Sequence, residues 1–202
     1  MGVDVWSETA LVAITQSTAS TNTDVIFHTI TETVDIDMGE KDFETIVGLS
    51  GGRMVKYTPE GDTTITMEMY PLGAGSGDIS GATTATGVFD LLHAEDTTQP
   101  LKISSTSATR QKYRLCILWT EDTSVKSATA AITGANKAFR FTAADGYFTA
   151  VKPSFTDGVL KFNVTFKVPP RDSVNNSNIY IESTDGTASL TALQSYTTTI
   201  KL

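Results

Sequence analysis

LKFNVTFKV, residues 160–168, alternates strictly between apolar and polar side chains. Leu160, Phe162, Val164, Phe166 and Val168 fall on one face, and Lys161, Asn163, Thr165 and Lys167 on the other. A period of two belongs to a pleated strand with one face buried and one wet. Burying the five apolar side chains would contribute roughly 8–15 kcal/mol before entropy is charged against it. Pro169-Pro170 stops the strand, because proline has no N–H to give a ladder. On the other side Thr156-Asp157-Gly158 leads into it, and an Asp-Gly pair suits the positive φ of a tight hairpin turn.

Working outward, the same period recurs. Thr64 to Tyr70 places Ile65, Met67 and Met69 on one side, and Val25 to Ile36 does so with Ile26, Ile30, Val34 and Ile36. Tyr113 to Trp119 is apolar almost throughout, as a central strand should be. Lys137 to Thr142 and Gly146 to Phe155 read as two strands joined by a turn at Ala144-Asp145-Gly146. One segment, Thr86 to Ala94, has helical spacing, with Val88, Leu91 and Leu92 on one stripe and Thr84 or Thr86 as cap. The 202 residues include 34 threonines, and threonine favours strands. The expected fold is mainly β: one domain over residues 1–202, with two antiparallel sheets forming a barrel or sandwich and one flanking α-helix.

Composition excludes several classes. The single cysteine, Cys116, permits no disulfide within the chain, and no apolar run reaches the ~18 residues of a membrane span. The N-terminal MGVDVWSETALVAITQ lacks a basic region before its apolar stretch, so no signal peptide is expected. Formal net charge is −8, a poor basis for gripping phosphates. Residues 1–100 carry sixteen acidic and three basic groups, a net of −13, while residues 101–202 carry seven and twelve, a net of +5. Opposite-signed halves can attract one copy to another, or intermix and neutralise each other within one fold.

Catalytic signals are missing. His28 and His93 accompany no nucleophile elbow, and Cys116 lies between Leu115 and Ile117, a setting for a buried small hydrophobe. The Gly73–Gly77 loop lacks the Lys-Ser/Thr of a phosphate cradle. Asp35, Asp37, Glu40, Asp42 and Glu44 form a dense carboxylate run without EF-hand spacing, which reads as a solvated or partner-facing edge. Asn163 and Asn175 head Asn-x-Ser/Thr sequons that match by chance when there is no secretion signal. No catalytic residue, cofactor or metal is expected, and the chain is not read as an enzyme.

One stretch goes beyond composition. DIDMGEKDFETIVGLSGGRMVKYTPEGDTTITMEMYPLG, Asp35 to Gly73, resembles the front half of viral tail tube proteins of long-tailed bacteriophages and related archaeal viruses. The resemblance rests on the acidic strand end Val34–Asp37, Gly39-Glu40, Gly51-Gly52-Arg53, and Thr58-Pro59-Glu60 through Tyr70-Pro71-Leu72. Leu160 to Ser183 is similar to the family's closing strand and the loop after it. The resemblance implies a two-sheet barrel with a flanking helix, whose copies form hexamer-like rings stacked into a hollow tail tube. It implies a long hairpin near residues 37–57 and extended terminal arms at the contacts between subunits and rings. The implied partners are further copies and other tail proteins (tape measure, initiator, terminator), with viral DNA passing through the bore unbound; the place is the virion tail, assembled in the host cytoplasm. The acidic charge suits this, since a bore making ~6–10 phosphate contacts would hold its cargo. The alternative from another class is a β-sandwich binding module: an adhesin, a capsid decoration or a carbohydrate-binding domain.

Overall fold

In the computed structural model the described residues are 9–16, 25–27, 33–57, 59–69, 112–125, 127–172 and 175–193. They form ten strands: β1 Thr9–Gln16, β2 Val25–Phe27, β3 Val34–Asp37, β4 Phe43–Val47, β5 Arg53–Tyr57, β6 Thr63–Met69, β7 Tyr113–Thr120, β8 Lys137–Thr156, β9 Val159–Val168 and β10 Ile179–Asp185. No helix occurs among the described residues, and the helix expected at Thr86–Ala94 lies outside them. Eight strands make one sheet in the order β2-β1-β7-β8-β9-β6-β3, with β10 also paired to β8; β4 and β5 pair only with each other. Every pairing is antiparallel.

β9 sits where its alternation requires. Phe162, Val164, Phe166 and Val168 are all buried, stacked beside Ile65, Met67 and Met69 of β6. Leu160 departs from expectation and stays 43% exposed. Facing this group across the core are Val12 and Ile14 of β1, Tyr113, Leu115 and Ile117 of β7, and Phe141 of β8. The sheet therefore curls on itself, and its two halves bury one another. The ring of Phe148 lies 5.3 Å from that of Tyr113 and 4.7 Å from that of Phe166, so aromatic contacts tie the halves together.

The curl is built into β8. Residues 137–156 were expected to be two strands with a turn at Ala144-Asp145-Gly146, but they run as one strand of 20 residues. Between Tyr113 and Leu115, two residues apart on β7, the β8 partners are Gly146 and Ala143, three apart. A second shift between Phe148 and Ala150 faces the adjacent pair Phe166 and Thr165. Each extra residue is a β-bulge, which bends the strand and exchanges its faces. That exchange lets Phe141, Ala143 and Phe148 all enter the same core. Gly146 supplies no turn: a Cβ there would lie 2.5 Å from the Phe166 ring, so the glycine serves close packing. The turn that does form is Asp157-Gly158, with φ of 53° and 79°.

Val25 to Ile36 was expected to be one strand. Its ends belong to different places, since β2 pairs with β1 at one margin of the sheet and β3 with β6 at the other. Alternation reports that a segment is half-buried, not which neighbour it pairs with.

The half-sheet of β1, β7 and the first part of β8 is covered on its second face too. Ala13, Cys116, Leu118, Ala138 and Ala144 pack under Ala128 and Ile132 of the 121–136 loop and under Leu190 and Leu193. Ile132 and Leu190 exchange two backbone hydrogen bonds of 3.0 Å. This burial on both faces accounts for the near-continuous apolar run of β7. Inside the layer lies Arg140, fully buried. Its Nε and Nη2 donate to Glu182 Oε2 at 2.8 and 2.6 Å, and Nη1 and Nη2 donate to the carbonyls of Ala130 (3.2 Å) and Thr191 (2.7 Å). One guanidinium thus joins the sheet, the loop and the segment after β10. In the same loop, hydrogen bonds from Ser124 and Asn136 hold the Asp122 carboxyl below the usual carboxylate range.

Three consequences are measurable by denaturant midpoint. Gly146→Ala should cost about 1–3 kcal/mol, because the added methyl meets a ring and a backbone carbonyl. Glu182→Ala, which strips the carboxylate from a buried guanidinium, should cost about 3 kcal/mol. By contrast Glu68→Ala, which breaks the longer, partly buried 3.5 Å pair with Lys161, should cost about 1 kcal/mol.

Candidate functional site

Between Asp37 and Thr63 the chain leaves the sheet and returns. The two passes cross at a neck where a Cβ on Gly39 would lie 2.1 Å from the Gly61 carbonyl oxygen. Only glycine permits that approach. The Gly39 N–H reaches toward Thr63 Oγ1 at 3.5 Å, tying the outgoing pass to the start of β6.

Beyond the neck stands a two-stranded ribbon. β4 and β5 pair Phe43 with Tyr57, Glu44 with Lys56, Thr45 with Val55, Ile46 with Met54 and Val47 with Arg53. The turn is closed by Gly48 N–H to Gly52 O at 2.7 Å and Gly51 N–H to Gly48 O at 2.9 Å. Every residue of both strands is exposed on both faces. Five residues per strand make an arm about 17 Å long. Its composition is not that of a solvated arm: Phe43 is 59% exposed, Met54 64%, and Val47 and Tyr57 66% each. Phe43, Val47, Val55 and Tyr57 share one face. An isolated two-stranded ribbon is marginal in water, and clustered apolar exposure marks a surface that another molecule covers.

At the root of the arm Lys41 lies 5.7 Å over the Tyr57 ring. Lys41, Tyr57, Pro59 and Glu60 face Pro170 and Arg171 across an open cleft of about 480 Å³. The loop that follows β9 therefore borders the arm's root.

The carboxylate run is spread along this path rather than gathered. Asp35 and Asp37 occupy the exposed face of β3, Glu40 and Asp42 lie in the neck, and Glu44 opposes Lys56 on the arm. Among the described residues no three His, Cys, Asp or Glu side chains form a metal-holding group. Cys116 is buried, its Sγ–H donating to the Ala128 carbonyl at 3.4 Å. His28, His93 and the Gly73–Gly77 loop lie outside the described residues. Asn163 sits on the exposed face of β9 and Asn175 in the 171–177 loop. The buried Asp145 accepts 3.0 Å from Lys112 Nζ, and this hydrogen bond raises the Lys112 ammonium above its usual range.

A second apolar patch was not singled out in the sequence. At the tip of the β8–β9 hairpin, Phe155 is 73% exposed beside Leu160 and Val159. The missed signal was the fifth member of the β9 stripe, Leu160, which the described residues of the opposing half-sheet leave 43% exposed. No helix among the described residues is long and apolar enough to cross a membrane.

No family model matches the chain, and no curated protein matches it. Solved structures do. The PVC sheath/tube terminator of an extracellular contractile injection system, in its extended state, is 12% identical over 90% of this chain and 99% of its own, with a TM-score of 0.44. The anti-feeding prophage cap, an AFP tube terminating cap, is 10% identical over 91% and 95%, TM-score 0.43. The PVC sheath–tube complex, also extended, is 12% identical over 90% and 92%, TM-score 0.45.

The neck yields a prediction. Gly39→Ala should leave the melting of the body within about 1 kcal/mol of the parent but redirect or loosen the arm, because the clash is confined to the crossing. Faster amide exchange at 43–57 with unchanged protection in β7 and β8 is the expected readout.

Proposed function

We propose that this protein is a structural subunit of a phage-type tail, which assembles with copies of itself into stacked rings around a hollow bore. The observation that carries the reading is the arm. A protein acting alone gains nothing from exposing Phe43, Val47, Met54, Val55 and Tyr57 on a ribbon whose strands, among the described residues, pair only with each other. A protein that acts by repetition needs such a projecting surface to reach a neighbour. The resemblance over Asp35–Gly73 covers this same segment, which gives the reading a second, independent support.

In this reading the finer parts follow the resemblance: six-membered rings, a tail tube carrying the viral genome, contacts with tape measure, initiator and terminator proteins, and residence in the virion. The net acidic chain suits a bore that repels DNA rather than holding it. The protein works without catalysis, cofactor or metal. The other reading, a sandwich that binds glycans, calls for exposed aromatics gathered on a sheet face. The exposed aromatics among the described residues are instead Phe43 and Tyr57 on the arm and Phe155 at a hairpin tip.

Electron microscopy of the concentrated protein, alone and with a tail initiator complex, tests the reading. Rings or tubes with a central channel are expected: long tubes from a tube subunit, a single ring from a subunit that ends a tube. The double variant Val55→Asp with Tyr57→Asp should abolish them while leaving monomer melting unchanged, since both positions are exposed. A parent protein that stays monomeric under every one of these conditions overturns the reading.

A further inference from the structure

The cover over the second face of β7 is built as a separate piece. Its two parts, the loop 127–133 and the segment 188–193, follow different strands but bond to one another. Ile132 and Leu190 exchange N–H donations of 3.0 Å, and the Leu193 N–H donates to the Thr129 carbonyl at 2.9 Å. Each part has a fixed base. The ends of the loop are pinned together, with Lys137 N–H donating to Glu121 Oε1 and Asn136 Nδ2 donating to Asp122 Oδ2, both at 2.7 Å. The segment leaves β10 through Gly186, whose φ is 92°, in a turn where Asp185 Oδ1 accepts from the Thr187 N–H at 2.9 Å.

The apolar grip on this cover is slight. Nine buried side chains make up the layer, and five of them are alanine or cysteine: Ala13, Cys116, Ala128, Ala138 and Ala144. The core between the half-sheets has fifteen, of which only Ala143 is so small. Short side chains withdraw little apolar surface from water. The polar attachments include Cys116 Sγ, which donates to the Ala128 carbonyl, and the Arg140 guanidinium, which donates to one carbonyl of each part, Ala130 and Thr191. Arg140 acts in two directions. Closed, its forked donors fasten both parts to the sheet, yet its charge is held wholly out of water. With the cover lifted, the guanidinium regains water and keeps Glu182, a β10 side chain that is already 38% exposed. That hydration offsets much of what opening loses. The core of Phe141, Phe148 and Phe166 lies on the other face and shares no buried side chain with the layer, so opening leaves it whole.

We propose that loop 127–133 and segment 188–193 form a hinged cover that opens as one unit from the folded body, with Arg140 as its clasp. Opening bares the Cys116 face of β7 while the core between the half-sheets stays closed. The device gives the body two folded states that differ in one sheet face. It is independent of the self-assembly reading and holds for a single copy.

Thiol labelling and amide exchange on the whole chain test it. A small aromatic disulfide should label Cys116 roughly 100-fold faster than it labels the thiol of a Cys116→Ala, Val164→Cys variant, because position 164 lies in the core that stays closed. The Cys116 rate should rise only weakly with urea, since opening exposes little surface. The amides of Ile132, Leu190 and Leu193 should share one protection factor, lower than that of the β9 amides. Arg140→Lys keeps the charge but lacks the fork that reaches two carbonyls and Glu182, and should speed Cys116 labelling roughly 10-fold. Ile132→Ala, which thins the apolar grip without touching the guanidinium, should speed it as well. Labelling of Cys116 at the rate and urea dependence of the 164 thiol overturns the proposal, because the cover then opens only when everything unfolds. Separate protection factors for the three amides overturn it too, because the parts then move independently. An Arg140→Lys variant that folds and is labelled no faster than the parent overturns the clasp.

Discussion

The ring of Phe166 lying over Gly146 is the contact on which the rest depends. At this point β8 passes from one half of the sheet to the other, flanked by a bulge on each side. A side chain at 146 would push β9 away from β8 just where the sheet begins to fold back. With glycine there the ring closes down, the bulges bend the strand, and the two halves come face to face. Fifteen buried side chains then fill the space between them. A flat sheet of these strands would leave one apolar face of each half in water.

Curling the sheet solves only part of the burial problem. The half that carries β7 is apolar on both faces, so a second layer must cover it. That layer is irregular chain, and irregular chain brings backbone polar groups that need partners. Arg140 supplies them by donating to two carbonyls while its charge is met by Glu182. The guanidinium is wholly buried and is balanced by a carboxylate that is 38% exposed, whereas Glu68 and Lys161 are both partly buried, at 22% and 21% exposed.

Among the described residues the body buries most of its apolar side chains, whereas the arm and the tip leave theirs in water. Their exposed apolar side chains cannot be ascribed to a poor core, since the core beside them is closed. Among the described residues the ribbon's strands pair only with each other, and the apolar side chains they hold in water are what the proposed assembly would cover.

Alternation alone determined β9 and β6 to within a residue or two, the apolar run of β7, and the Asp157-Gly158 turn, because each depends on local pattern and local φ. Charge, cysteine count and missing catalytic spacing likewise followed from the chain, while the hairpin near residues 37–57 came from the family resemblance rather than from any period. Tertiary structure alone decided the continuity of β8, the separate destinations of Val25–Phe27 and Val34–Asp37, the burial of Arg140, and the bareness of Leu160 and Phe155. The physical reason is that a two-residue period states only that a strand has a dry face. Whether Asp-Gly turns or runs straight, and whether the dry face is met by its own chain, depends on what lies across from it: a ring over Gly146, open space at Gly158, and at the tip no opposing strand among the described residues.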